Sequence, residues 1–159
     1  MAPAQASEVW GVFRGKPVSL GLLLWGVVLQ ALLRGDLQRA TRVDLALGTG
    51  AACALAGRDP VLQLQTPDPD PITYTVGSPP SPIWRRRVLM RCGPAFVLDG
   101  APSAGAAQNR VLLDGLALPG LEASREPDGL LHLQLRQEFE PPGGGTQRIE
   151  TEVRVLAGS

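Results

Sequence analysis

The stretch SLGLLLWGVVLQALLRGDLQRATRV, from Ser19 to Val43, constrains the chain more than any other. Between Val18 and Leu33 it is apolar except for Ser19 and Gln30, and then Arg34, Asp36, Arg39 and Arg42 arrive within one short segment. The apolar run is shorter than the roughly 20 residues of a spanning helix. A secretory signal would suit its length and the basic flank of Arg14 and Lys16, but "LLRGDLQRA" offers no small-x-small cleavage site. Instead the helical period continues. Leu29, Leu33, Leu37, Ala40, Val43 and Leu47 recur every three or four residues and form one stripe, while Arg34, Asp36, Gln38, Arg39 and Arg42 lie mostly off it. Pro17 suits the start, and Gly48 and Gly50 suit the end. The pattern predicts one continuous helix over 18–47. Its first half, apolar all round, would sit in lipid or a helical bundle, and its amphipathic second half would pack on the following domain. The competing expectation is a core helix of a small soluble domain, which would have to cover "LGLLLWGVVL" on every side.

Past Pro60 the period changes to two. "VLQLQ" (61–65), "ITYTV" (72–76), "IWRRRVLMR" (83–91), "RVLLDGL" (110–116), "LLHLQLRQEF" (130–139) and "QRIETEVRVL" (147–156) read as strands. The last two flank "EPPGGG" and predict a hairpin, whereas "DGAPSAGAAQN" (99–109) predicts an exposed loop. The expected class is therefore α+β: a leader over 1–17, the long helix over 18–47, and a largely antiparallel β head over 48–159. Aromatic residues are only 4% of the chain, so Leu, Val and Ala must fill the core. The formal net charge is zero, so no overall field draws the chain to nucleic acid or to an acidic membrane.

Chemistry-bearing residues are sparse. His132 is the only histidine and has no neighbouring ligand set, and no nucleophile elbow, zinc helix or phosphate loop occurs. Asp68 and Asp70 in "TPDPDP" offer too few oxygens for calcium, and the prolines indicate a stiff turn. The reading is therefore non-enzymatic, with no cofactor and no metal. Arg85, Arg86, Arg87 and Arg91 form the basic cluster. Beside Trp84 they read either as a patch for DNA phosphates or lipid head groups, or, preferably, as an ion-paired edge that discourages strand pairing. Cys53 and Cys92 lack metal spacing. In a reducing compartment they would be two buried thiols; in an oxidising one they would form one disulfide.

The order of elements resembles the type IV pilin superfamily, and within it the minor pilins and type II secretion pseudopilins. The features are an apolar helix half, "DLQRATRV" (36–43), "ITYTV" followed by "IWRRRVLMR", and a closing "IETEVRVL". The resemblance covers about Leu20 to the end. It implies a structural subunit held in the bacterial inner membrane by its helix, with a periplasmic head, before it enters a pilus or pseudopilus. Its partners would be other pilin or pseudopilin subunits, the inner-membrane assembly platform and lipid. Leu20, Leu22, Leu23, Leu24, Trp25, Val27, Val28, Leu29, Leu32 and Leu33 would form the membrane or filament core. Prepilin cleavage would fall between Gly15 and Lys16. Here Lys16 and Pro17 replace the aromatic start of the family, and no Glu occurs within Val18–Leu33. Export, as the resemblance implies it, favours the Cys53–Cys92 disulfide. The alternative function is a membrane-anchored periplasmic β domain that binds a ligand or protein without polymerising.

Overall fold

The computed structural model describes residues 11–12, 20–45, 51–55 and 57–156, with side chains from residue 30 onward. Its elements in order are β1 (Gly11–Val12), α1 (Leu20–Arg39), β2 (Arg42–Asp44), β3 (Asp59–Gln65), β4 (Ile72–Gly77), β5 (Arg87–Gly93), β6 (Gln108–Arg125), β7 (Leu131–Phe139) and β8 (Gln147–Val155). β2 to β8 form an antiparallel meander, each strand beside its sequence neighbours, and the two-residue β1 pairs with the outer edge of β8. β3 also comes into contact with β6, three positions away. In a flat sheet those strands would lie about 14 Å apart, so the sheet is curled.

The expected class is corrected by this arrangement. The chain is built mainly of antiparallel strands, and the long helix over 18–47 does not form. α1 stops at Arg39, and Arg42–Asp44 leaves the helical path to become edge strand β2. The reason is local. Thr41 and Val43 are β-branched and favour extended backbone. The edge of β3 offers acceptors: the Thr41 N–H donates to the Gln65 carbonyl at 2.8 Å, and the Thr41 hydroxyl donates to the same oxygen at 3.2 Å. Arg39 lies in the last helical turn, where a cation opposes the helix dipole, and its guanidinium bonds Asp68 at 2.7 Å. Among the described residues no helix is long and apolar enough to cross a membrane. The side chains of Leu20, Leu22, Leu23, Leu24, Trp25, Val27, Val28 and Leu29 lie outside the described residues, as do Gly15 and Lys16. Leu32 is half-buried, and Leu33 packs into the core of the domain.

Register assigns every strand residue to one of two faces, because side chains alternate. The concave face carries Leu62 and Leu64 of β3, Ile72, Tyr74 and Val76 of β4, and Leu89 and Arg91 of β5. It continues through Leu131, Leu133 and Leu135 of β7 opposite Val155, Val153 and Thr151 of β8. Leu33, Leu37 and Ala40 of α1 pack into the same apolar cluster. Burying each Leu or Val stabilises the fold by about 1.5–3 kcal/mol, so this face is the core. The convex face has two parts. Over β3 to β5 it carries Gln63, Thr73, Thr75, Val88, Met90 and Cys92, all buried. Over β6 to β8 it is a charged ladder: Arg136 pairs with Glu122 and Glu150, Arg148 with Glu138, and Arg154 with Glu126.

The strands expected at 61–65, 72–76, 130–139 and 147–156 lie at β3, β4, β7 and β8, and the last two form the expected hairpin. β5 begins at Arg87 rather than Ile83, and β6 extends nine residues beyond Leu116, to Arg125.

Candidate functional site: a clamp on both faces of β5

Arg91 and Cys92 are consecutive in β5, so they point to opposite faces of the sheet. Each holds a different part of the chain.

On the concave face Arg91 meets α1. Its Nε donates to Asp36 Oδ2 at 2.6 Å and its Nη2 to Asp36 Oδ1 at 2.9 Å, a two-pronged pair. Its Nη1 donates to the Pro94 carbonyl at 2.7 Å, and the Phe96 ring lies 4.9 Å from the guanidinium carbon. The Tyr74 hydroxyl donates to Asp36 Oδ2 from the neighbouring strand. Asp36 is 0% exposed and Arg91 6%. Two charges so far from water are tolerable only when paired and hydrogen-bonded, and here the carboxylate accepts three hydrogen bonds. Burial raises the Tyr74 phenol well above its usual range, and the adjacent Asp36 carboxylate raises it further. Burial acts to lower the Arg91 pKa, but hydrogen bonds to Asp36 and its negative charge outweigh that and raise it.

On the convex face Cys92 forms a disulfide with Cys53, 39 residues earlier. Beside it, the Asn109 amide donates to the Ala54 carbonyl at 3.2 Å. Residues 51–55 are thus strapped over the back of β5 and β6, while α1 lies over the front of β4 and β5. The disulfide expected for an oxidising compartment is present.

The other expected site residues are dispersed. Arg91 is buried on the concave face. Arg87 opens β5 and pairs with Asp59 at 3.5 Å. Arg86 sits in the preceding turn and pairs with Glu138 at 3.1 Å and Glu140 at 3.2 Å. Arg85 is exposed, and its guanidinium has no partner among the described residues. The four arginines therefore do not share one basic face. His132 lies in the charged ladder with Nε2 3.7 Å from Glu152. Asp68 accepts from Arg39, and its backbone N–H donates to the Thr66 hydroxyl oxygen, while Asp70 is exposed. Among the described residues no group of three or more His, Cys, Asp or Glu converges as a metal site.

The sequence pattern alone gives Tyr74 no role beyond its strand, but it carries a signal for Asp36. Leu33, Asp36, Leu37 and Ala40 are spaced i, i+3, i+4, i+7, so Asp36 lies within the apolar stripe rather than beside it. Arg91 likewise follows Leu89 at the strand period. A buried cation and a buried anion on two apolar faces point to each other.

No family model, no curated protein and no solved structure matches this chain.

Proposed function

We propose that the chain is a structural, non-catalytic subunit of an extracytoplasmic assembly of the type IV pilin or type II secretion pseudopilin kind. In this reading α1 faces other subunits and the curled sheet is the outward head. The observation that supports it is the double grip on β5: α1 through Asp36–Arg91–Tyr74 in front, and residues 51–55 through Cys53–Cys92 behind. A subunit pulled through its helix must pass that load to its head. Here the load path runs from α1 directly into a central strand, and a covalent bond holds the next stretch of chain to the same strand. The disulfide also favours an oxidising compartment such as the periplasm or the cell surface. Because no described helix is long and apolar enough to cross a membrane, the proposal concerns the assembled subunit and rests on no membrane span. The partners would be further subunits and the platform that assembles them.

The test is to shear surface filaments from cells that make the full chain and to sediment them. The reading expects the chain to co-sediment with filaments and to need filament dissociation for its release. A chain found only in the soluble cytosolic fraction would overturn it. A second reading, a β domain that binds a ligand without polymerising, is supported by a cleft at the opposite end of β5, between the turn before that strand and the β7–β8 tip.

A further inference from the structure

The turn between β4 and β5 and the tip of the β7–β8 hairpin enclose an open cleft of about 590 Å³. Arg85 lines one side, and Glu140, Pro141, Pro142, Gly145 and Thr146 line the other. Its size falls within the several-hundred-Å³ range of small-molecule sites.

The backbone around Arg85 is fixed from both directions. Its N–H donates to Asp114 Oδ2 at 2.9 Å, and its carbonyl accepts from the Gly115 N–H at 2.8 Å. The next residue, Arg86, has φ 57°, a left-handed conformation that is uncommon and costly outside glycine. Its two ion pairs, to Glu138 and Glu140, hold it there. Arg86 therefore ties the turn to the hairpin tip beside the cleft. Among the described residues Arg85 is left with a guanidinium that bonds nothing. Opposite it, Gly143, Gly144 and Gly145 all have positive φ, a path open to glycine, and among the described residues neither the Gly145 N–H nor the Thr146 hydroxyl has a hydrogen-bond partner.

We propose that this cleft binds a hydroxyl-rich monocarboxylate of the uronic-acid class, as found in acidic glycans. The planar fork of Arg85 matches a carboxylate. The Thr146 hydroxyl and Gly145 N–H supply donors for ring or hydroxyl oxygens. Glu140 bonds Arg86 through Oε1 only, so Oε2 is free to accept a sugar hydroxyl. The two proline rings give an apolar wall for one face of the sugar. The site stands whether or not the chain polymerises.

The experiment is a backbone-amide NMR titration of the full chain with D-galacturonate, with D-galactose and inorganic phosphate as comparison probes. Galacturonate should shift the Gly144, Gly145 and Thr146 amides saturably, and galactose should leave them in place. Arg85→Gln should weaken galacturonate binding by about tenfold, the scale of one lost charge-assisted contact. Its side chain is exposed and unbonded, so the rest of the spectrum should not change. Thr146→Val should weaken binding by roughly threefold, the loss of one neutral hydrogen bond. Absence of shifts, equal binding by Arg85→Gln, or phosphate binding at these amides as tightly as galacturonate would overturn the assignment.

Discussion

Replacing Asp36 by Ala removes one partner of a buried ion pair and leaves the other in place. Arg91 then keeps the Pro94 carbonyl and the Phe96 ring but loses two charge-assisted hydrogen bonds, and the Tyr74 hydroxyl loses its acceptor. Breaking a buried pair from one side typically costs about 3–5 kcal/mol, because the remaining charge is stranded. Against a total of about 5–15 kcal/mol for a domain, that is a large fraction. With about 2–4 °C per kcal/mol for a chain of this size, the melting temperature should fall by roughly 6–20 °C. Removing both charges together, as Asp36→Leu with Arg91→Met, should cost markedly less than the sum of the two single substitutions. The assay is urea denaturation of Asp36→Ala and of the four proteins of this cycle, followed by far-UV circular dichroism. A cost below about 1 kcal/mol for Asp36→Ala, the range of a surface pair, or strict additivity in the cycle would refute the buried clamp.

Other outcomes follow from the same geometry. Burial, then the Asp36 carboxylate, raises the pKa of Tyr74, so the folded chain keeps a proton that the unfolded chain releases above pH about 10. The stability from this group is complete below that pH and is lost as pH rises towards the folded pKa. Tyr74 is the only tyrosine, so tyrosinate absorbance should appear above the usual range and together with unfolding; an ordinary, reversible titration of the folded chain would contradict it. Reducing Cys53–Cys92 opens a loop of 39 residues in sequence separation and should destabilise the chain by roughly 4 kcal/mol in the chain-entropy model, read as a lower urea midpoint in reductant. Gly77→Ala would put a Cβ 2.8 Å from Arg58 Cγ and 3.0 Å from Arg58 Cα, an overpacking cost of about 1–3 kcal/mol. A thermal midpoint equal to the parent's would show that β3 and β4 separate there without strain.

The strands with clear alternation were legible from sequence. Leu131, Leu133 and Leu135, with Val153 and Val155 opposite, face the core as their period requires. β4 was legible for another reason: ITYTV is β-branched and aromatic throughout, as suits a strand buried on both faces. The helix end was not legible, because Ala40, Val43 and Leu47 continue the 3.6-residue period across a three-residue strand. Only the partner edge of β3 decides between the two. The clamp was half legible. The spacing of Leu33, Asp36, Leu37 and Ala40 carries Asp36 onto the apolar face, although the stripe through Leu33, Leu37 and Ala40 sets it aside with the other charged residues, and the curl of the sheet that brings α1 onto β5 is a tertiary property. The cleft at Arg85 was hidden for the same reason: the RRR run reads as a patch or, preferably, an ion-paired edge, and only the partners of Arg86 and Arg87 show that Arg85 is the one left over.

The most direct test of the central claim, a head gripped on both faces of β5 in an oxidising compartment, is a non-reducing peptide map of the chain isolated from the cells that make it, with free thiols blocked at lysis. A Cys53–Cys92 linked peptide, and no blocked thiol, is expected in the envelope or sheared surface fraction. Both cysteines blocked, in a chain confined to the cytosol, would contradict it.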